Sequence, residues 1–125
     1  MLGMELRTSE VIVIFTTPDA TIVALRVAAD LGRSWNAPIR LIAPMLLSQL
    51  ESQALRARIA NEIDAPVSVI VCLAHRVADL ALALFNRHSL IVIGGRQSWW
   101  PTRQERMRRA LEAQGHRVLF VNEGH

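Results

Sequence analysis

The chain contains no lysine and a single cysteine, and each lack excludes something. With Cys72 alone no intramolecular disulfide can form, which points to a reducing compartment. Cys72 itself sits in an apolar run and reads as an inert core residue. All 14 basic residues are arginine, a uniformity read as coding bias, not function. It inflates the sequence pI to 10.9, because arginine does not deprotonate in the accessible range. The formal net charge is only +3, too modest for a committed nucleic-acid binder. No apolar run approaches the ~20 residues needed to cross a bilayer. The longest, Val77 to Phe85, is interrupted by Asp79. Met1 to Arg7 shows neither the apolar h-region nor the cleavage site of a signal peptide, so a cytoplasmic protein without a membrane partner is expected.

Catalytic and metal signatures are missing as well. His75, His88, His116 and His125 have no metal-ligand spacing with one another or with carboxylates or Cys72, so no metal is assigned. No serine is flanked by glycines as in a nucleophile elbow, and no Ser/His/Asp set can be proposed from order alone. No enzyme is expected.

What is present describes a globular chain. Hydrophobic residues make up 51% and charged residues 20%, which excludes disorder. A length of 125 residues is one domain, 1–125, with its core at about 11–121. A mean hydropathy of +0.25 is high for a small soluble chain and hints at apolar surface covered by a partner.

Ser89-Leu90-Ile91-Val92-Ile93-Gly94-Gly95-Arg96 is the most informative stretch. Its unalternating aliphatic run reads as a strand buried on both faces, central in a parallel sheet. The two glycines read as the turn leaving its C-terminal end, where open α/β sheets place ligands. Val11-Ile12-Val13-Ile14-Phe15 is a strand of the same kind, followed by Thr17 as N-cap, Pro18 at the first helical position and Asp19 at the positive dipole end. The helix is predicted from Pro18 to about Ser34. Pro38 to Pro44 is the second strand, and the Ser48–Glu51 capping box opens a helix to about Ile63. Val67 to Leu73 is the third strand. Val77, Leu80, Ala81, Leu84 and Phe85 then repeat with helical period, before strand four at Leu90 to Ile93. A second capping box, Thr102–Glu105, opens the last helix, with Gly115 at its C-cap, and Val118 to Val121 is strand five. Such alternation predicts a three-layer α/β/α sandwich around a five-stranded parallel sheet. A phosphoacceptor receiver domain shares that outline. It requires an aspartate after strand three, where Cys72-Leu73-Ala74 stands, and a lysine after strand five in a chain with none.

Two of these phrases, in order, carry a family resemblance: Pro18 through Leu31, with its Ala28-Ala29-Asp30-Leu31 core, and Leu90 through Arg96. Together with the element spacing from about Val11 to Val121, they resemble the universal stress protein family. The resemblance implies an adenine nucleotide alpha hydrolase-like fold. Members that bind ATP carry an aspartate at the end of strand one and, after strand four, a motif of Gly, two residues, Gly, nine residues, Gly, then Ser or Thr. Such glycines let backbone N–H groups approach phosphates. Counted from Gly94, the later positions fall on Gln97, Met107 and Arg108, and the acidic position is Thr16. The resemblance therefore implies a degenerate site and no cofactor, ATP included.

The leading expectation is a universal-stress-protein-like regulatory or interaction domain, homodimeric, with an unidentified protein partner and no catalysis. The alternative keeps a nucleotide or other anion at the mouth formed by Thr16, Thr17, Ile42, Gly94, Gly95 and Arg96, the arginine replacing lost backbone donors. A weaker alternative is non-specific nucleic-acid binding through Arg103, Arg106, Arg108 and Arg109, whose default reading is a solvated helix face. In the topology that the resemblance implies, Val118, Leu119, Phe120 and Val121 lie at a sheet edge, through which many members of the family dimerise; they carry no lysine, proline or inward charge to keep that edge from pairing, so they are the candidate dimer interface. Trp99 and Trp100 join them as interface candidates, with a loop folded on the sheet edge as the structural reading.

Overall fold

In the computed structural model of the chain, residues 9–44, 49–72, 89–95, 103–113, 115 and 117–122 are described. Each aliphatic run becomes a strand: β1 (Glu10–Ile14), β2 (Ile39–Pro44), β3 (Val67–Cys72), β4 (Ser89–Gly95) and β5 (Arg117–Asn122). Between them lie α1 (Pro18–Trp35), α2 (Gln49–Glu62) and α3 (Arg103–Ala113). All strand pairs are parallel and the order across the sheet is β3-β2-β1-β4-β5. β1 and β4 are therefore central, which is why Val11 to Val13 and Ile91 to Ile93 are fully buried. The helix expected at Val77 to Phe85 and the Ser48 and Thr102 caps lie outside the described residues.

The period-2 alternation of each strand divides the core in two. Val11, Val13, Leu41 and Val92 face α1 and α2, meeting Leu25, Ala28, Leu55 and Ile59. Ile12, Ile14, Ile42, Ile91 and Ile93 face the other way, against Leu111 of α3. Helices on both faces follow from right-handed crossovers, because the chain moves outward through β1, β2 and β3 in one direction and through β4 and β5 in the other.

α1 begins as its sequence demands. The Ala20 N–H donates to Thr17 Oγ1 at 3.2 Å, Pro18 needs no N–H partner in the first turn, and Asp19 sits at the dipole's positive end. Its other end was not legible in the same way. Asn36 adopts the left-handed conformation at φ 54° and closes the helix, a role that asparagine fills less often than glycine. Gly115 does take φ +90°, following α3 as expected of a C-cap glycine. One boundary differs in a way that matters. Gly94 and Gly95 are not a turn but the last two residues of β4, in register with Val121 and Asn122 of β5.

Candidate functional site

The strand order reverses between β1 and β4, and in open α/β sheets the crevice at that point is where ligands bind. Thr16, Thr17, Ile42, Gly94 and Gly95 converge there; Arg96 lies outside the described residues. Hydrogen bonds among the chain's own groups run across the mouth of the crevice and around it. The Thr16 hydroxyl donates to Gly94 O at 2.8 Å, crossing from the end of β1 to the end of β4. The Thr16 N–H donates to the Oγ1 of Thr21 at 3.1 Å, which satisfies a hydroxyl buried completely in α1. Thr17 caps α1 with its side chain and accepts from the Thr21 N–H with its carbonyl at 2.9 Å. Ile42 is a core residue whose carbonyl accepts from the Phe15 N–H at 3.0 Å.

Gly94 has a steric reason to be glycine. A Cβ built there would lie 2.1 Å from Ala20 O, so the first turn of α1 rests directly on the β4 backbone. Its φ is not positive, since Gly115 is the one glycine with positive φ among the described residues. An anion nest needs successive N–H groups turned to one side by alternating right- and left-handed conformations. Gly94 and Gly95, extended and in register with β5, do not have that shape.

Beside the crevice the first turn of α1 is tied to α2 by charge. Arg58 donates from Nη1 to Asp19 Oδ1 at 2.8 Å and from Nε to Glu62 Oε2 at 2.9 Å, while Arg26 Nη2 reaches Glu62 Oε1 at 2.6 Å. The hydrogen bond from Arg58 holds the Glu62 carboxyl below its usual range, against a smaller opposing effect of desolvation. The same bond, then that to Asp19, raises the Arg58 guanidinium. Asp19, which lies near the mouth, is thus engaged by a neighbouring helix as well as placed for the dipole.

The opposite end of the sheet holds a polar group that sequence reasoning missed. Ser89 Oγ, fully buried, donates to Glu10 Oε1 at 2.9 Å, and Arg40 Nη1 donates to Glu10 Oε2 at 2.8 Å. Register brings them together: Glu10 pairs with Ser89 across β1–β4, and Arg40 lies opposite Ile12 in β2. The available signal was the placement of Glu10, Arg40 and Ser89 at or near the starts of their strands, legible only once pairing is known. At the N-terminal ends, away from the crevice, they satisfy one another. Among the described residues no group of three or more His, Cys, Asp or Glu side chains could hold a metal, and no helix is long and apolar enough to cross a membrane. All four histidines lie outside the described residues.

β5 is an edge strand, as the family resemblance implies, with β3 at the other edge. Val118 and Phe120 pack half-buried on the α3 side of the sheet, and Val121 on the α1 side. Leu119, alternating with its neighbours, stands on the α1 side and is 37% exposed. Trp99 and Trp100 lie outside the described residues, as do the side chains of Arg103 and Arg108; Arg106 and Arg109 are exposed.

A parallel five-stranded sheet of this order, helices on both faces and a crevice between β1 and β4 define an open, doubly wound α/β fold. Within that class the match is specific. The universal stress protein from Archaeoglobus fulgidus superimposes with a TM-score of 0.64 at 15% identity, covering 96% of this chain and 98% of its own. A universal stress protein in complex with cAMP gives 0.63 at 15% identity, covering 92% and 98%. A protein from the universal stress protein family from Burkholderia pseudomallei gives 0.56 at 18%, covering 91% and 96%. No protein-family model and no curated protein matches the sequence. The chain has the universal stress protein fold.

Proposed function

We propose that this chain is a non-catalytic, dimeric regulatory module in which the ligand crevice of the universal stress protein fold has been turned into internal structure. The observation that carries the reading is the hydrogen bond from the Thr16 hydroxyl to Gly94 O, 2.8 Å across the mouth. An ionised aspartate at that position accepts hydrogen bonds and donates none, so it cannot bridge to a carbonyl and stays available to a ligand. Threonine donates, and the two central strands become stitched where a nucleotide would enter. Gly94, which the resemblance assigns to a phosphate loop, is engaged in letting α1 approach β4. With the crevice spent, the surface left for function is lateral. β5 pairs antiparallel with its copy about a two-fold axis, which caps the edge and gives a homodimer.

A second reading is kept alive by the universal stress protein structure in complex with cAMP: a nucleotide held at the same mouth. Calorimetry with Mg-ATP and with cAMP separates the two. The closed crevice predicts no binding tighter than about millimolar, or ~4 kcal/mol. A micromolar isotherm with one site per chain overturns it. Light scattering tests the dimer, and a monomer at tens of micromolar removes β5 pairing from the proposal.

A further inference from the structure

One row of α1 lies outside both core clusters and away from α2. It consists of Val23, Val27 and Leu31, half-buried, and Trp35, 38% exposed, spaced four residues apart along one ridge of the helix. Four residues overshoot a full turn by about 40°, so the ridge winds from the outer surface at Val23 to a flank at Trp35. That flank is opposite the one facing α2, which is identified by its bonds, Arg26 to Glu62 and Arg33 to the Asp64 carbonyl. It therefore stands over β5, where Leu119 and Val121 lie on the α1 side of the sheet and Leu119 is 37% exposed. Helix flank and strand form an apolar corner that none of the described elements closes.

We infer that the segment preceding β1 fills this corner in cis, laying Leu2, Met4 and Leu6 along the ridge. Residues 1–8 lie outside the described residues; their sequence, and the point at which Ser9 leads into β1, carry the placement. Met1-Leu2-Gly3-Met4-Glu5-Leu6-Arg7 alternates, so that Leu2, Met4 and Leu6 share one face of an extended chain and Gly3, Glu5 and Arg7 the other. Such a pattern matches apolar surface on one side and water on the other. Three large hydrophobic residues among those described are exposed. Leu50 begins α2, which follows the C-terminal end of β2, and Leu119 is midway along β5. Trp35 alone stands at the N-terminal end of the sheet, where the segment arrives.

Direction, reach and spacing agree. α1 leaves the C-terminal end of β1 and returns to the start of β2, so it finishes at the end of the sheet where β1 begins, and Trp35 is its last residue. The flank over β5 is two strand spacings, or ~10 Å, from β1. The three residues from Ser9 back to Leu6 also span ~10 Å when extended, which brings Leu6 to Trp35. Beyond it, side chains two apart in an extended chain advance ~6.6 Å, and residues four apart on a helix advance ~6 Å. Leu6, Met4 and Leu2 thus meet Trp35, Leu31 and Val27 in step, with Glu5 and Arg7 turned to water. The outer edge of β5 stays free, so the contact neither needs nor blocks its pairing.

Trp35 reports the contact once Trp99→Phe and Trp100→Phe leave it as the only tryptophan. In that background Met4→Asp and Leu6→Asp are expected to red-shift its emission and raise its acrylamide quenching roughly twofold, because the side chains that cover the ring are lost. Glu5→Ala and Arg7→Ala, on the opposite face, are expected to leave both unchanged. Far-UV circular dichroism checks the folding of every variant. Cross-linking separates the chain's own segment from a neighbour's. In a Cys72→Ala chain, Met4→Cys with Leu31→Cys and a short bismaleimide is expected to give an intrachain product. Met4→Cys with Ala54→Cys, on the exposed face of α2, is expected to give far less. No response of Trp35 to Met4→Asp or Leu6→Asp, an equal response to both faces, or equal cross-linking of the two pairs overturns the inference. A two-chain product overturns its assignment in cis. If the phenylalanine background fails to fold, the cross-link decides alone. A monomeric wild type overturns the dimer reading and leaves this contact standing.

Discussion

Gly94→Ala is the substitution that most directly separates a structural crevice from a ligand site. The new Cβ would sit 2.1 Å from Ala20 O and 2.8 Å from the Ala20 carbonyl carbon, both backbone atoms of the first turn of α1. No rotamer change relieves that contact. Either α1 lifts from β4 or the end of β4 moves, by about 1 Å, a displacement in the range where overpacking costs ~1–3 kcal/mol. A shift of that size also stretches the 2.8 Å bond from Thr16 to Gly94 O, worth about 1 kcal/mol. The expected loss is about 2–4 kcal/mol. In a domain of this size that corresponds to a fall in melting temperature of roughly 8–16 °C. Urea unfolding followed by circular dichroism measures it, with an unchanged m-value showing that stability and not compactness has moved. If Gly94 were a ligand-loop glycine with no packing duty, Gly94→Ala would leave the midpoint within error. That result would refute the account of the closed crevice given above.

Other consequences follow from the same contacts. Thr17→Ala removes the N-cap of α1 and should cost about 1 kcal/mol, read from the urea midpoint, with Thr17→Ser nearly neutral. Arg40→Ala leaves Glu10, a half-buried carboxylate, with only the Ser89 hydroxyl, and should cost roughly 1.5–3 kcal/mol. The double variant Arg40→Leu with Glu10→Gln should recover part of that. Glu62 has a folded-state pKa below its ordinary value of 4.5, so its contribution is present above that value and is lost as pH falls through the lower folded value. In Glu62→Gln the neutral plateau of a stability–pH curve should therefore fall and its acid limb flatten, while the low-pH end, where the wild type has already lost the contribution, hardly moves. Arg103, Arg106, Arg108 and Arg109 are expected to support no DNA binding at physiological salt. Fluorescence anisotropy showing a log–log salt slope near −3, lost in Arg106→Ala plus Arg109→Ala, would contradict this.

Much of the architecture was legible because its determinants are local. Thr17-Pro18-Asp19 specifies a helix start by its own chemistry, and unalternating aliphatic runs specify buried parallel strands regardless of what surrounds them. Edge placement of β5 was legible only through the resemblance, since nothing in Val118 to Val121 states which strand lies beside it. The glycine pair shows the limit. Pro, Gly and turns are so closely associated that Gly94-Gly95 reads as a loop, yet at Gly94 the demand is steric and comes from Ala20, more than seventy positions away in sequence. The Glu10–Arg40–Ser89 group was invisible for the same reason, since three residues from three strands become one cluster only through register.

Both ends of the sheet are polar, and in this chain both polar ends are turned inward. At the C-terminal end Thr16, Thr17 and Thr21 spend their hydroxyls on Gly94 O, the α1 cap and the Thr16 N–H. At the N-terminal end Ser89 and Arg40 each donate to one oxygen of Glu10. A buried polar group that has found an internal partner would have to break that bond to bind a ligand, losing about as much as it gained. Binding through these described groups is therefore opposed even where residue types look suitable. The sides of the sheet are different. Leu119 and Trp35 hold apolar surface in water with no bond to break, so covering them is favourable at ~25 cal/mol per Å² before the entropy lost on association is subtracted. The energetic bias of the molecule runs away from the inherited crevice and toward its β5 edge, which is the physical reason to look for its function in assembly.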